Sequence, residues 1–301
     1  MIVITAPTGN IGHQVVDTVL AAGEPVRVIA RDPARLRADV RERVEVVQGS
    51  HGDGQVVAQA FDGADAVFWL LPSDPRAADA NEAFLGFTRP AAEAMRGIGV
   101  KRVVDVSALG RGTPQAGAAG HVTASLAMDD LIASTGVAFR ALAASGFMEN
   151  VLRQVQTIKE RGRFFDVISP DRELRLVATR DIAAVAARLL LDATWTGQEE
   201  IPLLGPENLS YNDIAAVISE VLGTSVRYER IPARALADRL TARGMSGAMV
   251  QSMLDMMAAK ENGLDDAIVR TPRHATDTPT TFRQWCEEVL KPAVHASGRQ
   301  P

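Results

Sequence analysis

Apolar, β-branched runs alternate with amphipathic segments along the first half of the chain. The apolar runs predict six strands, the first opening at residue 2 and the others at 25–30, 44–48, 65–71, 100–107 and 137–142. The segments between them predict helices after Gly12 and at 55–61, 81–97 and 126–134. Nearly all-apolar strands separated by helices are typical of a parallel sheet covered on both faces. We therefore expect an α/β fold with a doubly wound parallel sheet.

The pattern changes after Gly146. Here the sequence predicts a helix at 147–158, an extended stretch at 162–170, a sheet-covering helix at 181–191 with Asp181 as its N-cap, and a strand at 201–204. From Leu209 the chain is mainly helical, with a helix at 215–222 capped by Ser210 or Asn212, a strand at 226–231 and two further helices. We expect the tail, 295–301, to fray.

These elements predict two domains. Residues 1–145, with about 172–205, would form a nucleotide-binding domain. Residues 146–171 and 206–295 would form a smaller, mainly helical domain that acts as substrate domain or lid.

Composition narrows the class of protein. The 301 residues are 47% hydrophobic and 23% charged, which is ordinary globular usage. A net charge of −5, spread without blocks, argues against nucleic acid or an anionic membrane as the main partner. The single cysteine, Cys286, excludes an intrachain disulfide and a multi-cysteine metal site, and we expect it to pack inside a late helix. No run is long enough to cross a bilayer and the N-terminus is a predicted core strand, so we expect a cytoplasmic protein without a metal.

The opening segment carries the clearest chemical signal. A buried strand ends in a turn of small residues, and Gly9 and Gly12 stand three positions apart before a helix. Gly9 would let the backbone approach a pyrophosphate, and Gly12 would let the helix pack against the strand. Backbone N–H groups at the helix start would then face the phosphate charge. Ala6 occupies the place of the first glycine in the usual dinucleotide-binding pattern.

The second predicted strand ends at Arg31, 19 positions after Gly12. An acidic residue at this place binds the ribose hydroxyls of NAD, and a basic residue suits the 2′-phosphate of NADP. The planar, permanently charged guanidinium of Arg31 therefore favours NADPH over NADH, although a solvated charge at a strand end is the simpler alternative. We interpret the neighbouring Asp32 as the N-cap of a helix that opens at Pro33.

A ligand of such a sheet binds beyond the carboxyl ends of its strands. The residues that the predicted elements place there are the expected cofactor contacts: Ala6, Thr8, Gly9, Asn10, Ile11, Gly12, Arg31, Ser50, Leu71, Pro72, Ser107, Ala144 and Ser145.

Seven motifs distributed along the whole chain resemble the NmrA-like family. They are Thr5–Gly12, Val26–Pro33, Val103–Gly110, Phe147–Asn150, Thr179–Ala183, Leu204–Pro206 and Thr280–Phe282. This family consists of atypical short-chain dehydrogenase/reductase relatives, among them quinone and azo-type oxidoreductases and redox-sensing regulators. The resemblance implies a Rossmann domain, a small C-terminal substrate domain and NADP(H) as the usual ligand. It leaves activity open, because the family contains both enzymes and nucleotide sensors.

The wider superfamily uses a Tyr-x-x-x-Lys pair, in which the tyrosine protonates the substrate oxygen and the lysine lowers the tyrosine pKa. Alignment with the family pattern places His121 at the tyrosine-like position and Ser125 at the lysine-like position, just ahead of the predicted helix. His121 is either a general acid or an exposed histidine in a loop that follows the Gly/Ala-rich segment 110–120. Ser125 is too weak an acid to replace the pair.

Without that pair, alcohol dehydrogenation is disfavoured more strongly than hydride transfer itself. A quinone, flavin-like or conjugated acceptor can take hydride while solvent supplies the proton. Candidate substrate-pocket residues are Phe84, Phe87, Phe147, Met148 and Met249. Met249, Met253, Met256 and Met257 follow helical spacing, which suits either a packed core or a pliable lid over a flat aromatic molecule.

Two functions therefore stay open. The first is an NADPH-dependent oxidoreductase that acts on a quinone-like or other conjugated aromatic small molecule. The second is a non-catalytic NADP(H)-binding sensor, regulator or scaffold that acts through a protein partner. A homodimer is compatible with either function.

Overall fold

The computed structural model describes residues 1–296, so 297–301 of the predicted fraying tail lie outside the described residues. Seven parallel strands form the main sheet: β1 Ile2–Ile4, β2 Val26–Ala30, β3 Glu45–Gln48, β4 Ala66–Trp69, β5 Arg102–Ala108, β6 Ala138–Ala144 and, after a strand outside this sheet, β8 Gln198–Leu203. Their order across the sheet is β3-β2-β1-β4-β5-β6-β8. The strand order reverses direction beside β1, which confirms the doubly wound parallel sheet. The other two strands, β7 Arg163–Asp166 and β9 Arg227–Arg230, pair in parallel as a separate small sheet.

The helices lie on both faces of the main sheet and build the C-terminal part of the chain. The α-helices are α1 Gly12–Ala21, α2 Ala38–Arg41, α3 Gly54–Phe61, α4 Phe87–Ile98, α5 His121–Ala133, α6 Val155–Arg161, α7 Thr179–Leu191, α8 Tyr211–Leu222, α9 Ala233–Ala242, α10 Gly247–Glu261, α11 Pro272–Asp277, α12 Phe282–Trp285 and α13 Lys291–His295. Helices α1 and α7 cover one face of the sheet, and α3, α4 and α5 cover the other. No helix among residues 1–296 is both long and apolar enough to span a bilayer.

The C-terminal part has a hydrophobic core of its own. Phe164, Ile214, Phe282 and Trp285 are buried there, together with Cys286. Burial raises the pKa of the Cys286 thiol to about 12, so the sulfur stays protonated and packs as a small apolar group, as the sequence predicts.

Helix α10 closes over the carboxyl end of the sheet. At its start, the Ser246 N–H donates to the carbonyl oxygen of Pro75 at 2.9 Å, and the Ser246 hydroxyl donates to that of Ala77 at 2.7 Å. Further along, a Cβ on Gly120 would lie 1.9 Å from the carbonyl oxygen of Ser252. Gly120 also has φ +53°, so glycine alone permits α10 to approach the start of α5 this closely.

Several predicted element boundaries are wrong. Helix α5 begins at His121 rather than at 126, because the turn at Gly120 directs the chain into the helix five residues earlier. Asp181 is not the N-cap of α7: that position belongs to Ala178, and the Asp181 carboxylate accepts hydrogen bonds from the Thr280 N–H and hydroxyl at 3.0 and 2.8 Å. The predicted helix 147–158 is a 3₁₀ helix, Met148–Gln154, followed by α6.

Two proposed caps are confirmed. The Asp32 carboxylate accepts the Ala34 N–H at 3.0 Å at the start of a 3₁₀ turn that opens at Pro33. Ser210 rather than Asn212 caps α8, through a capping box with Asp213.

Candidate functional site

The turn between β1 and α1 is built around Ala6 and Gly12. Ala6 has φ +47°, the single positive φ of a non-glycine residue in 1–296, and it occupies the place of the missing first glycine. This conformation points the Ala6 carbonyl at α1, where a Cβ on Gly12 would stand 2.1 Å from the oxygen. The helix therefore starts against the strand only because residue 12 lacks a side chain.

Gly9 differs from Gly12 in this respect. A Cβ on Gly9 would make an ordinary contact, 3.4 Å from the Ala6 oxygen, and its φ is not positive. Packing therefore does not require a glycine at position 9. The remaining physical reason for glycine there is the close approach of a ligand to the backbone, as a pyrophosphate at a helix N-terminus demands. Because glycine at position 9 has no packing role, the turn is consistent with a bound dinucleotide.

The positive charge of Arg31, at the end of β2, is suited to binding a phosphate group. Arg31 is exposed and has no carboxylate partner among residues 1–296, whereas Arg37 is bound by Asp17 at 2.6 Å and by Asp39 at 3.2 Å. Beside the turn lies a cavity of about 190 Å³. Its lining includes Thr8 and His13 from the turn and helix α1, and the side chains of Arg35 and Arg37.

The other predicted cofactor contacts lie along the same edge of the sheet. Leu71 and Pro72 follow β4, and Ser107 and Ala144 lie at the ends of β5 and β6. The Ser50 hydroxyl accepts the Gly52 N–H at 3.2 Å. The Ser145 hydroxyl donates to the Arg175 carbonyl and its N–H to the Leu203 carbonyl, so this residue joins β6 to β8 and the segment before α7.

A line of polar side chains follows the buried face of α5. His121, Ser125 and Asp129 are four residues apart and therefore share one face of the helix, and all three are buried. On β5, Asp105 and Ser107 point to this face, since they are two residues apart in a strand. The Ser107 Oγ is hydrogen-bonded to the Asp129 carboxyl and lies 3.5 Å from the Ser125 Oγ.

Asp105 and Asp129 form a buried carboxyl pair below the site. No N–H or O–H group in residues 1–296 donates to either oxygen of Asp105, which is fully buried. Burial and the neighbouring charge of Asp129 raise the pKa of Asp105 well above its ordinary value. Burial also raises the pKa of Asp129, against the opposing attraction of Arg111 at 3.6 Å. Both shifts favour the protonated form of the pair.

The structure excludes an exposed loop position for His121. The side chain is buried at the first turn of α5, its Nδ1 lies 2.7 Å from the Ser252 Oγ of α10, and its ring meets that of Phe84 edge-on at 6.0 Å. Burial lowers the His121 pKa, so the imidazole is neutral at physiological pH. Little of the imidazolium form is therefore present at neutral pH to act as a cationic acid.

The predicted substrate-pocket residues separate into two groups. Phe84 lies beside His121, and Phe147 pairs through its backbone with Val177 at the junction of the two parts of the chain. Phe87 instead packs against His51, whose ring centroid is 4.8 Å away, and Met148 and Met249 are buried. The core interpretation of the methionine stripe thus fits Met249, while Met253, Met256 and Met257 are half-buried.

A model of the NmrA-like family matches residues 1–286. The chain belongs to the NmrA-like family. It is 31% identical over 293 residues to the (4-alkanoyl-5-oxo-2,5-dihydrofuran-3-yl)methyl phosphate reductase of Streptomyces griseus, covering 96% of this chain and 97% of that protein. It is 26% identical over 290 residues to the NAD(P)H azoreductase of Xenophilus azovorans, covering 95% and 97%.

Solved structures extend the likeness to three dimensions. The Escherichia coli NADPH-dependent quinone oxidoreductase in complex with NADPH has a TM-score of 0.77 at 21% sequence identity, covering 94% of this chain and 98% of that one. The shared architecture is the NAD(P)-binding Rossmann-type fold of this family, with a helical C-terminal region.

Residues that sequence reasoning missed complete this NmrA-like site. The Thr5 hydroxyl accepts the Leu70 N–H at 2.7 Å and so fixes the ends of β1 and β4 side by side. Asp105 and Asp129 form the buried carboxyl pair. A carboxylate inside the otherwise apolar run of β5 is the one signal that the sequence offered for this pair.

Proposed function

We propose that this protein is an NADPH-dependent oxidoreductase that reduces a quinone-like or other conjugated small molecule. The turn carries the proposal, because Gly12 is required by packing and Gly9 is not, which leaves a close-lying dinucleotide as the reason for Gly9. When bound, the nicotinamide of that dinucleotide supplies the hydride.

The cofactor-binding roles follow from the placement of the residues. The backbone N–H groups of Thr8 to Gly12 would hold the pyrophosphate at the start of α1. Arg31, which has no carboxylate partner in residues 1–296, would hold the 2′-phosphate and give NADPH its advantage over NADH. Residues 1–145 with about 172–205 would form the nucleotide domain, and 146–171 with 206–295 the substrate domain and lid.

A conjugated hydride acceptor is consistent with the residues at the site and with the substrates named for the relatives. The relatives named above reduce, by their names, a furanone phosphate and azo compounds, and the structural neighbour is a quinone oxidoreductase. Such acceptors spread the charge that hydride brings, so they need less help from a strong acid than a simple ketone does. Phe84 and the neutral His121 would present a largely apolar wall to a flat ring.

A nucleotide sensor is the second candidate, and one observation favours it. The lysine-like position holds Ser125, which is buried against Ser107 and cannot lower the pKa of a neighbouring acid as a lysine does. In that case NADPH occupancy would alter a contact with a protein partner or a second copy of the chain.

Anaerobic turnover and binding distinguish the two candidates. NADPH oxidation is followed against a panel of quinones and azo compounds, and NADPH and NADH are titrated by fluorescence. Turnover with at least one acceptor supports the oxidoreductase. Tight NADPH binding without turnover supports the sensor, and no binding of either nucleotide contradicts both.

A further inference from the structure

The buried carboxyl pair has a feature that neither the cofactor turn nor the apolar wall requires. One cation, Arg111, contacts three carboxylates: it lies 2.8 Å from Asp130, 3.0 Å from Glu200 and 3.6 Å from Asp129. The fourth carboxyl, Asp105, faces Asp129 and has no ion pair with Arg111. Both oxygens of Asp105 and the Oδ1 of Asp129 receive no hydrogen bond from residues 1–296. Two such carboxylates at close range strongly disfavour being ionised together.

We propose that Asp105 and Asp129 share one proton and that Ser107 passes it to the acceptor after hydride transfer. This inference rests on the proposed oxidoreductase function. Ser107 is hydrogen-bonded to Asp129 and stands near the carboxyl end of β5, where ligands of a doubly wound sheet bind. The pair would thereby supply the acid that the absent Tyr-x-x-x-Lys tyrosine provides in related enzymes.

Every proton in the proposed transfer from the carboxyl pair to the acceptor is accounted for. Hydride brings two electrons and leaves the acceptor as an anion. The Ser107 hydroxyl proton moves to that anion. The Asp105 proton then passes to Asp129, and Asp129 protonates the Ser107 Oγ, which restores the Ser107 O–H bond. This leaves both carboxyls ionised, an unfavourable state that draws one proton back from solvent through Ser107.

The groups around the pair set the expected pH dependence. Asp105 comes from β5, Asp129 from α5, Arg111 from the loop after β5 and Glu200 from β8. At alkaline pH the pair loses the shared proton and can no longer protonate the acceptor through Ser107. We therefore expect kcat to fall as pH rises. Asp105→Asn removes the charge that repels ionisation of Asp129, so this alkaline fall should move to lower pH.

The experiment compares Asp105→Asn, Asp129→Asn and Ser107→Ala with a matched control, Asp130→Asn. Asp130 is the next residue on α5 and also contacts Arg111, but its side chain is exposed. With a quinone that the wild type reduces, Ser107→Ala and Asp129→Asn should lower kcat by roughly 100-fold or more. Asp105→Asn and Asp129→Asn should keep wild-type NADPH affinity, and every variant should keep the far-ultraviolet circular dichroism of the wild type. Asp130→Asn should keep both kcat and the alkaline limb of the pH profile.

Infrared spectroscopy tests the shared proton without turnover. The wild type at neutral pH should show the C=O band of a protonated carboxyl group that is absent from Asp105→Asn and present in Asp130→Asn. Absence of the band from the wild type would overturn the inference, as would folded Ser107→Ala and Asp129→Asn variants with wild-type kcat. If the band is present but the wild type reduces no acceptor, the oxidoreductase function and the delivery step fail, while the proton-sharing pair stands.

Discussion

The Ala6 carbonyl oxygen stands 2.1 Å from the place that a Cβ of residue 12 would occupy. The two residues are six positions apart and belong to one tight turn, so each fixes the other. Ala6 adopts a left-handed φ of +47°, which costs an alanine on the order of 1 kcal/mol, and Gly12 is small enough to receive the carbonyl that this conformation turns towards α1.

Gly12→Val should abolish NADPH binding, because its branched side chain collides with the Ala6 carbonyl and forces α1 away from β1. Ala6→Gly is the matched control, since it relieves the left-handed alanine and restores the usual glycine, and it should bind NADPH like the wild type. Fluorescence titration with NADPH checks both variants. Normal binding by Gly12→Val would show that the pyrophosphate is held elsewhere.

Arg31→Ala should weaken NADPH and leave NADH almost unchanged. It removes a charge-assisted contact to the 2′-phosphate that is worth about 1.5–3 kcal/mol, which NADH cannot make. Arg37→Ala is the control, because the Arg37 guanidinium is already bound by Asp17 and Asp39. Isothermal titration calorimetry with NADPH and with NADH measures both affinities. Equal losses of affinity for the two nucleotides would show that Arg31 has a structural role instead.

Asp105→Asn should change how stability depends on pH. The Asp105 pKa is higher in the folded protein than in the unfolded chain, because the carboxyl is buried beside Asp129. Its contribution to stability is therefore full below the unfolded pKa, about 4, and is lost as pH rises towards the folded value.

Urea unfolding at pH 5 and pH 8 measures this effect. The wild type should lose unfolding free energy from pH 5 to pH 8 through the Asp105 carboxyl. Asp105→Asn should lose less over the same range, and Asp130→Asn should lose as much as the wild type. An identical pH dependence in the wild type and Asp105→Asn would mean that the folded-state pKa of Asp105 is not raised.

His121→Ala should lower quinone reduction by well under the roughly 100-fold expected for loss of a general acid. Burial lowers the His121 pKa, so the imidazole is uncharged at neutral pH, and its Nδ1 is engaged with Ser252. The matched comparison is Ser252→Ala, which keeps the imidazole and removes its partner. A loss of 100-fold or more in kcat for His121→Ala alone, with normal NADPH affinity, would make His121 the proton donor instead of the carboxyl pair.

The sequence predicts the turn well because all of its determinants lie within eight residues. The strand, the small residues, and Gly9 and Gly12 in their spacing are read directly, and the parallel sheet follows from the alternation of apolar strands with helices. The start of α5 is harder to predict. His121 and Ser125 interrupt the apolar pattern ahead of Leu126, so the pattern predicts a later start for the helix. The true start depends on the Gly120 turn and its contact with Ser252.

The carboxyl pair lies beyond what the sequence alone could show. Asp105 and Asp129 meet only because β5 and α5 pack in one register, which places a strand position against a helix position 24 residues later. The sequence also cannot tell that Met249 is buried while the rest of its stripe stays half-exposed, because helical spacing is the same for a core and for a lid.

Anaerobic NADPH oxidation with a quinone, measured side by side for the wild type and Gly9→Ala, tests the central claim most directly. The Gly9 Cβ fits the fold, with an ordinary 3.4 Å contact to Ala6. In the proposed binding mode it would take the space of the pyrophosphate. We expect quinone-dependent NADPH oxidation by the wild type, and a folded Gly9→Ala variant with wild-type thermal stability and little or no oxidation. Wild-type protein that binds NADPH and transfers hydride to no acceptor, or a Gly9→Ala variant as active as the wild type, would contradict the account.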